Sequence, residues 1–294
     1  MDTASVTYGD SYTLPECGFA RDGNKFVGWA TKADGEVITD ETIKVTGDVT
    51  LYAVWKDYTE LKVGYFSAYR FSGKYKTAAT ATEINNKILN LDLDVLVINQ
   101  IERGSFVYPS SWNTGNGVVG PLTEAVKSKY PYYYFASAGK IVDDTEGEYG
   151  NLILSKYPIE DYETISLADG KPFVHNTENN SYSGFVEGRP AGRVKLNVNG
   201  YTVDVFYTHA GDANQCATLA GKIAESTADT WIAVGFLPSM DQKLTGYKQV
   251  NSGNCRIMTD SALVLGTLNK DATTFCTYNT SSTLYSATIC VPKG

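Results

Sequence analysis

No stretch of the chain approaches the roughly 18 consecutive apolar residues of a membrane-spanning helix, and its opening MDTASVTYGD lacks the basic and apolar regions of a secretory leader. The start reads as a boundary inside a longer chain. Neither a CxxC pair nor a Cys/His cluster occurs around Cys17, Cys216, Cys255, Cys276 and Cys290, which argues against a zinc site. These cysteines read as buried thiols, or as including a disulfide if the strand-like segments around Cys276 and Cys290 are neighbours. Histidines number 2, and Lys and Arg total 25 against 33 Asp and Glu, for a formal net charge of -8. Without a broad basic surface to steer the chain onto a polyanion, nucleic acid is disfavoured as a partner. No Gly-x-Ser-x-Gly elbow is present to supply a serine nucleophile.

What the chain does have is 294 residues, 43% hydrophobic and 20% charged, enough for one large core or two unequal ones. Its 21 tyrosines and many Ser, Thr, Asn and Gly residues give it the composition of a secreted or surface protein. Two unequal parts are expected. Residues 1–57 are short strand-like runs between Gly, Asp and Asn turns, such as KFVGWAT, GEVITD and IKVTGDVTLYAVW. A polar hinge, KDYTE at 56–60, leads into residues 58–294. There LKVGYF, DVLVINQI, GNLILSKYPI, GRVKLNVNG, YTVDVFYTH and TWIAVG read as strands. TAATATEINNKILNLD, with Ile84, Ile88 and Leu91 on one face, PLTEAVKSKY and QCATLAGKIAEST read as helices. Strands outnumber helices and come partly as hairpins, which predicts an α/β fold of two packed sheets with helices outside. The run YPYYYF alternates across a strand and carries no basic residue, so it is core plus exposed tyrosine and no stacking platform for bases.

The pattern GNKFVGWATKADGEVITDETIKVTGDVTLYAVW, marked by Phe26, Gly28, Trp29, Gly35 and the closing Leu51, Tyr52, Ala53 and Trp55, resembles the Listeria-Bacteroides type repeat. That is a β-grasp-like spacer module found in tandem on bacterial surface proteins. Trp29 and Trp55 lie in the strand pattern and read as core. The resemblance implies a secreted or cell-surface bacterial location.

Residues 61–291 resemble the endonuclease/exonuclease/phosphatase family, through YGNLILSKYPI at 149–159 and FVEGRPAGRVKLNVNGYTVDVFYTHAGD. This implies a four-layer α/β sandwich, two mixed sheets flanked by helices, whose members hydrolyse phosphoesters with a divalent metal. The family's site groups sit at strand ends and can be compared one by one. Ser67 stands where a metal-site asparagine is expected, and Gln100, neutral and the weaker magnesium ligand, where the metal-binding glutamate is expected. In WIAVGFLPSMD, Phe236 and Pro238 replace the water-orienting aspartate and the asparagine of the Gly-Asp-Phe-Asn turn; neither side chain can hydrogen-bond. In SSTLYSATICV, Thr283 and Leu284 stand where an Asp-His acid-base pair is expected. His209, Arg189 and Asp260 remain as remnants. Losing the metal ligand, the water-orienting carboxylate and the general acid-base together removes each source of rate enhancement. The resemblance therefore implies a non-catalytic member with no cofactor and no metal, a binding or display module for a protein or glycan, with Trp112 and Tyr108 of the 102–120 loop as contacts. The alternative is a divalent-metal-dependent extracellular phosphodiesterase or nuclease with rearranged ligands, Glu102, Asp212 and Asp260, in which Glu102 faces the same way as Gln100 along a continuing strand. His175, in KPFVHNTENN, reads as a surface residue.

Overall fold

In a computed structural model of the chain, residues 3–21, 24–68, 85–103, 124–141, 147–179, 181–249, 253–261, 264–276 and 281–292 are described. Trp112, Tyr108 and Ile84 lie outside them. The chain forms two compact units, Met1–Thr59 with Pro292–Gly294, and Glu60–Val291.

In the first unit, β1 (Ser11–Thr13) pairs antiparallel with β3 (Thr42–Lys44). β2 (Asn24–Ala30) pairs with the first part of β4 (Tyr52–Ser67). A register shift falls between Phe26 and Gly28. Gly28 has φ +150°, and a Cβ there would lie 2.3 Å from Val37, so only glycine lets the chain pass. Phe26 sets its ring edge-on to Trp29 at 5.1 Å and Trp55 at 5.9 Å, and the Trp29 indole N–H donates to Pro15 O at 2.7 Å. Trp29 is thus core, and Trp55 is half-buried beside it. The expected hinge KDYTE is strand, lying within β4. Its polarity suggested a break, but Lys56 and Asp57 are paired with Lys25 and Asn24. Partners distant in sequence override the local composition.

The second unit continues with β5 (Val95–Arg103), β6 (Tyr132–Lys140), β7 (Glu148–Ser155), β8 (Ile159–Ala168), β9 (Val174–Asn176), β10 (Ser181–Ser183), β11 (Arg189–Val198), β12 (Tyr201–His209), β13 (Thr230–Phe236), β14 (Lys248–Gln249), β15 (Cys255–Thr259), β16 (Val264–Cys276) and β17 (Ser281–Pro292). Among its described residues the α-helices are α1 (85–90), α2 (Glu124–Lys129) and α3 (Ala213–Ala224). One sheet runs β16-β17-β4-β5-β7-β6 and the other β14-β15-β13-β12-β11-β8. Strand alternation sorts their side chains. Val95, Val97 and Ile153 meet Val194, Val205 and Val234 between the sheets. Leu96, Ile98 and Leu152 face the other way, under Ile88 and Val126 of the helices. Phe206 and Ala233 pack beneath Cys216, Leu219 and Ile223 of α3. The result is a four-layer α/β sandwich. Inner strands such as β5 and β12 are largely apolar on both faces because both faces are covered.

β16 and β17 are neighbours, as the cysteine argument required, but the register sets Cys276 opposite Ser281 and Val264 opposite Ile289. Cys276 and Cys290 therefore lie near opposite ends of the hairpin. Cys216 and Cys290 are buried thiols.

Candidate functional site at the strand ends

β4 and β5 run parallel, with Ser67 beside Asn99; β12 and β13 run parallel, with His209 beside Phe236. All four strands end at the same rim. The Asn99 amide donates to Thr208 O across the two sheets, and a Cβ on Gly235 would lie 1.9 Å from that carbonyl and 3.0 Å from Asn99 Nδ2. Gly235 has φ +137°. The turn seen in the sequence as a strand end is thus a place where the backbones of β12 and β13 touch, and only glycine fits.

From this floor rises a closed polar network. Ser67 Oγ donates to Gln100 Oε1 at 2.6 Å, and Gln100 Nε2 lies 3.4 Å from Glu187 Oε1. Glu187 also accepts from the Tyr149 hydroxyl at 2.6 Å and is held by both terminal nitrogens of Arg189, at 3.0 and 3.1 Å. Burial, reinforced by the Glu187 carboxylate, pushes the Tyr149 phenol well above its ordinary pKa, so it stays a donor. Beneath, the Gln100 N–H donates to Asn151 Oδ1 at 3.1 Å, while Asn151 Nδ2 and Thr208 Oγ1 both donate to Pro190 O.

Gln100 sits at φ +56°, inside a register shift between Ile98 and Ile101. Those two isoleucines, three apart, pack in the same outer core, which a regular strand forbids. The bulge invalidates the spacing argument for Glu102, which lies beyond it, opposite Tyr149 and buried. The other two carboxylates of the rearranged set are employed elsewhere. Asp212 is the N-cap of α3, accepting from Asn214 N and Gln215 N at 2.8 and 2.9 Å. Asp260 accepts from Trp231 N at 2.9 Å, at the opposite end of β13 from Phe236. The structure does not bring Glu102, Asp212 and Asp260 together, and among the described residues no three Cys, His, Asp or Glu side chains are placed to hold a metal.

At the second pair of strand ends the Phe236 ring lies flat on His209, 4.8 Å between centroids and 13° between planes. Burial, with repulsion from the Arg189 guanidinium, brings the His209 pKa down to about 4, so the imidazole is neutral near pH 7. Arg189 Nη1 reaches His209 O at 3.5 Å. Leu237 and Met240 turn down into the core over α3, Leu237 N donates to Asn254 O at 2.6 Å, and Pro238 is half-buried in the turn. Asp241 pairs with Arg256 at 2.8 Å. Thr283, half-buried, stands opposite Thr274. Leu284, 1% exposed, belongs to the outer core with Ile98 and Phe66, so it turns away from the face that the acid-base reading gave it. His175 lies in β9 opposite Tyr182, in a two-stranded sheet separate from the two large ones.

Sequence reading picked out Ser67, Gln100, His209, Arg189 and Phe236, and the structure brings all five to this rim. It missed Glu187 and Tyr149. Glu187 stood in view two residues before Arg189 in VEGRP, and that spacing on an extended segment was the available signal. A hard divalent cation needs carboxylate oxygens. Here the Gln100 oxygen is taken by Ser67 and the nearby Glu187 is bound by Arg189, Tyr149 and Gln100, so these residues do not fit a magnesium site.

This architecture defines a class. The second unit has the fold of the endonuclease/exonuclease/phosphatase proteins. It is similar to sphingomyelinase C from Streptomyces griseocarneus (16% identity, 79% of this chain and 99% of that chain covered, TM-score 0.53). It is also similar to an endonuclease/exonuclease/phosphatase from Beutenbergia cavernae DSM 12333 (15%, 78% and 72%, 0.52) and a family protein from Leptotrichia buccalis C-1013-b (9%, 78% and 99%, 0.51). At these identities the likeness is one of fold. Residues 1–54 match the Listeria-Bacteroides repeat domain, a module typical of bacterial surface proteins. No curated relative matches the chain, and no helix among the described residues is long and apolar enough to cross a membrane.

Proposed function

We propose that the second unit is a non-catalytic member of its fold class, working as a binding or display module of a secreted or cell-surface bacterial protein. The observation that carries this reading is the closed Ser67–Gln100–Glu187–Arg189 network. An intramolecular ion pair and neutral amides occupy the strand ends, where hydrolysis would need a carboxylate-bound cation and an activated water. The flat Phe236–His209 stack covers the other pair of strand ends with a ring that neither accepts nor donates a proton. The surface location is supported by the matched repeat.

The test is calorimetric titration of the purified chain with Mn²⁺ and Mg²⁺, alongside turnover of bis-p-nitrophenyl phosphate. We expect neither heat nor turnover. Metal-dependent turnover abolished by His209→Ala would overturn the reading in favour of a phosphodiesterase. Trp112 and Tyr108 stay as proposed contacts for a protein or glycan; alanine at both with unchanged binding of an identified partner would remove them.

A further inference from the structure

β8 ends its sheet, and β6 ends the other. Proteins usually blunt such edges with short strands, charged side chains, proline or bulges; the β8–β11 pairing has a register shift near each end, and the charges of β8 are all acidic, which blunts the edge against any strand that is not basic. β8 is 10 residues long, IEDYETISLA, has neither lysine nor proline, and is exposed at every position from Glu160 to Thr164. Tyr162 is 62% exposed, and its ring contacts Tyr134 of β6 at 4.5 Å. The Tyr134 hydroxyl lies 2.7 Å from Thr164 Oγ1, so the aromatic part of this edge is held in place by the neighbouring sheet.

The paired side of β8 shows which strand chemistry it accepts. The register sets Arg193 opposite Glu163, Val194 opposite Tyr162 and Lys195 opposite Asp161, and Arg193 Nη1 donates to Asp161 Oδ2 at 2.8 Å. β11 thus meets the acids of β8 with cations alternating with an apolar residue. On its other side β8 offers the same acids, and among the described residues no strand pairs there. A second copy is the poorer occupant where it centres on the acids: antiparallel self-pairing about Tyr162 sets Asp161 opposite Glu163, and like charges directly opposite destabilise a ladder.

We infer that the open edge of β8 is a docking strand, which takes an extended basic segment of a partner protein by strand addition. Lysine or arginine lies over Asp161 and Glu163 and an apolar side chain lies over Tyr162. Backbone hydrogen bonds supply affinity, and the acids choose the partner. The inference deepens the binding-module reading and rests on it. The metal and turnover measurements test that reading, and the following titration fails separately from them.

The probe is a fluorescein-labelled ten-residue peptide alternating lysine with valine and threonine, followed by anisotropy. Its controls are the same peptide with glutamate for lysine, and the lysine peptide N-methylated at alternate residues along one edge. The chain should bind the lysine peptide about tenfold or more tighter than the glutamate peptide, and the N-methylated peptide should not bind. Glu163→Lys, which leaves the Asp161–Arg193 bridge and the Asn197–Glu160 hydrogen bond intact, should abolish the preference for the lysine peptide. The milder Glu163→Gln should weaken lysine-peptide binding if Glu163→Lys misfolds. No binding of the lysine peptide, equal affinity for both charges, or undiminished binding after N-methylation would each overturn the proposal. So would a dimer in sedimentation that Glu163→Lys dissolves.

Discussion

Phe236 acquires its meaning from what it touches. As a substitution in a strand-end turn it is a missing carboxylate; in the fold it is the lid on a neutral histidine, 4.8 Å away and nearly parallel. Phe236→Asp would trade that contact for a half-buried carboxylate and leave Ser67, Gln100 and the occupied Glu187 unchanged. We expect no hydrolysis from it, and a loss on the order of 1–2 kcal/mol in urea denaturation, less than full truncation of a core phenylalanine. His209 carries a pH signature. Its folded pKa, about 4, is below the ordinary value near 6.5, so between these values the unfolded chain binds a proton that the folded chain refuses. Stability contributed by the neutral imidazole is full above about pH 6.5 and is lost as pH falls toward 4, by on the order of 2 kcal/mol. Urea midpoints at pH 7 and pH 4.5 should show this loss, and His209→Gln should flatten it. Gly235→Ala puts a methyl group 1.9 Å from Thr208 O at φ +137°. It should cost about 3 kcal/mol or more, or prevent folding, as read by soluble yield and thermal midpoint.

At the scale of elements, most strands were legible because their apolar periodicity is strong. DVLVINQ, YTVDVFYTH and TWIAVG all become strands, and QCATLAGKIAEST becomes α3, with Cys216, Leu219, Ala220 and Ile223 on its buried face. Irregularities were not legible. The bulge at Gln100 depends on pairing with β7, whose Asn151 offers one residue against two. The outward turn of Leu284 depends on how β17 sits against its neighbours, since one residue of register exchanges the faces. Asp212 shows the same limit. Its place before an apolar-periodic segment suits an N-cap as well as a rim carboxylate, and the structure makes it the cap. Asp212→Ala should therefore cost about 1 kcal/mol in chemical denaturation, while Mn²⁺ titration heats should be the same for variant and parent. A metal ligand would show the opposite pattern.

At the scale of the molecule, the two units differ in how much core they own. Among the described residues of Met1–Thr59 only Trp29 and Ala30 are buried, whereas the second unit has three extensive cores across its four layers. A small unit buries too little surface to be very stable. Urea unfolding should therefore depart from two-state behaviour. An early fluorescence change should come from Trp29 and Trp55 before the far-ultraviolet circular dichroism of the sandwich is lost. Trp29→Phe/Trp55→Phe should remove that early change, and coincident transitions by both probes would refute the expectation.

The sequence by itself determined the layered α/β class, the small strand-rich unit with its surface-repeat pattern, and the absence of charged or hydrogen-bonding side chains at Phe236 and Pro238. These follow from periodicity and side-chain chemistry, which are local. Only the tertiary structure decided that KDYTE is strand, that Glu187 and Tyr149 complete the network around Gln100, that Asp260 serves the far end of β13, and that β8 ends its sheet with its acids in the open. Each of these depends on which strand lies beside which and in what register, and the free energy that selects a register comes from partners far apart in the chain.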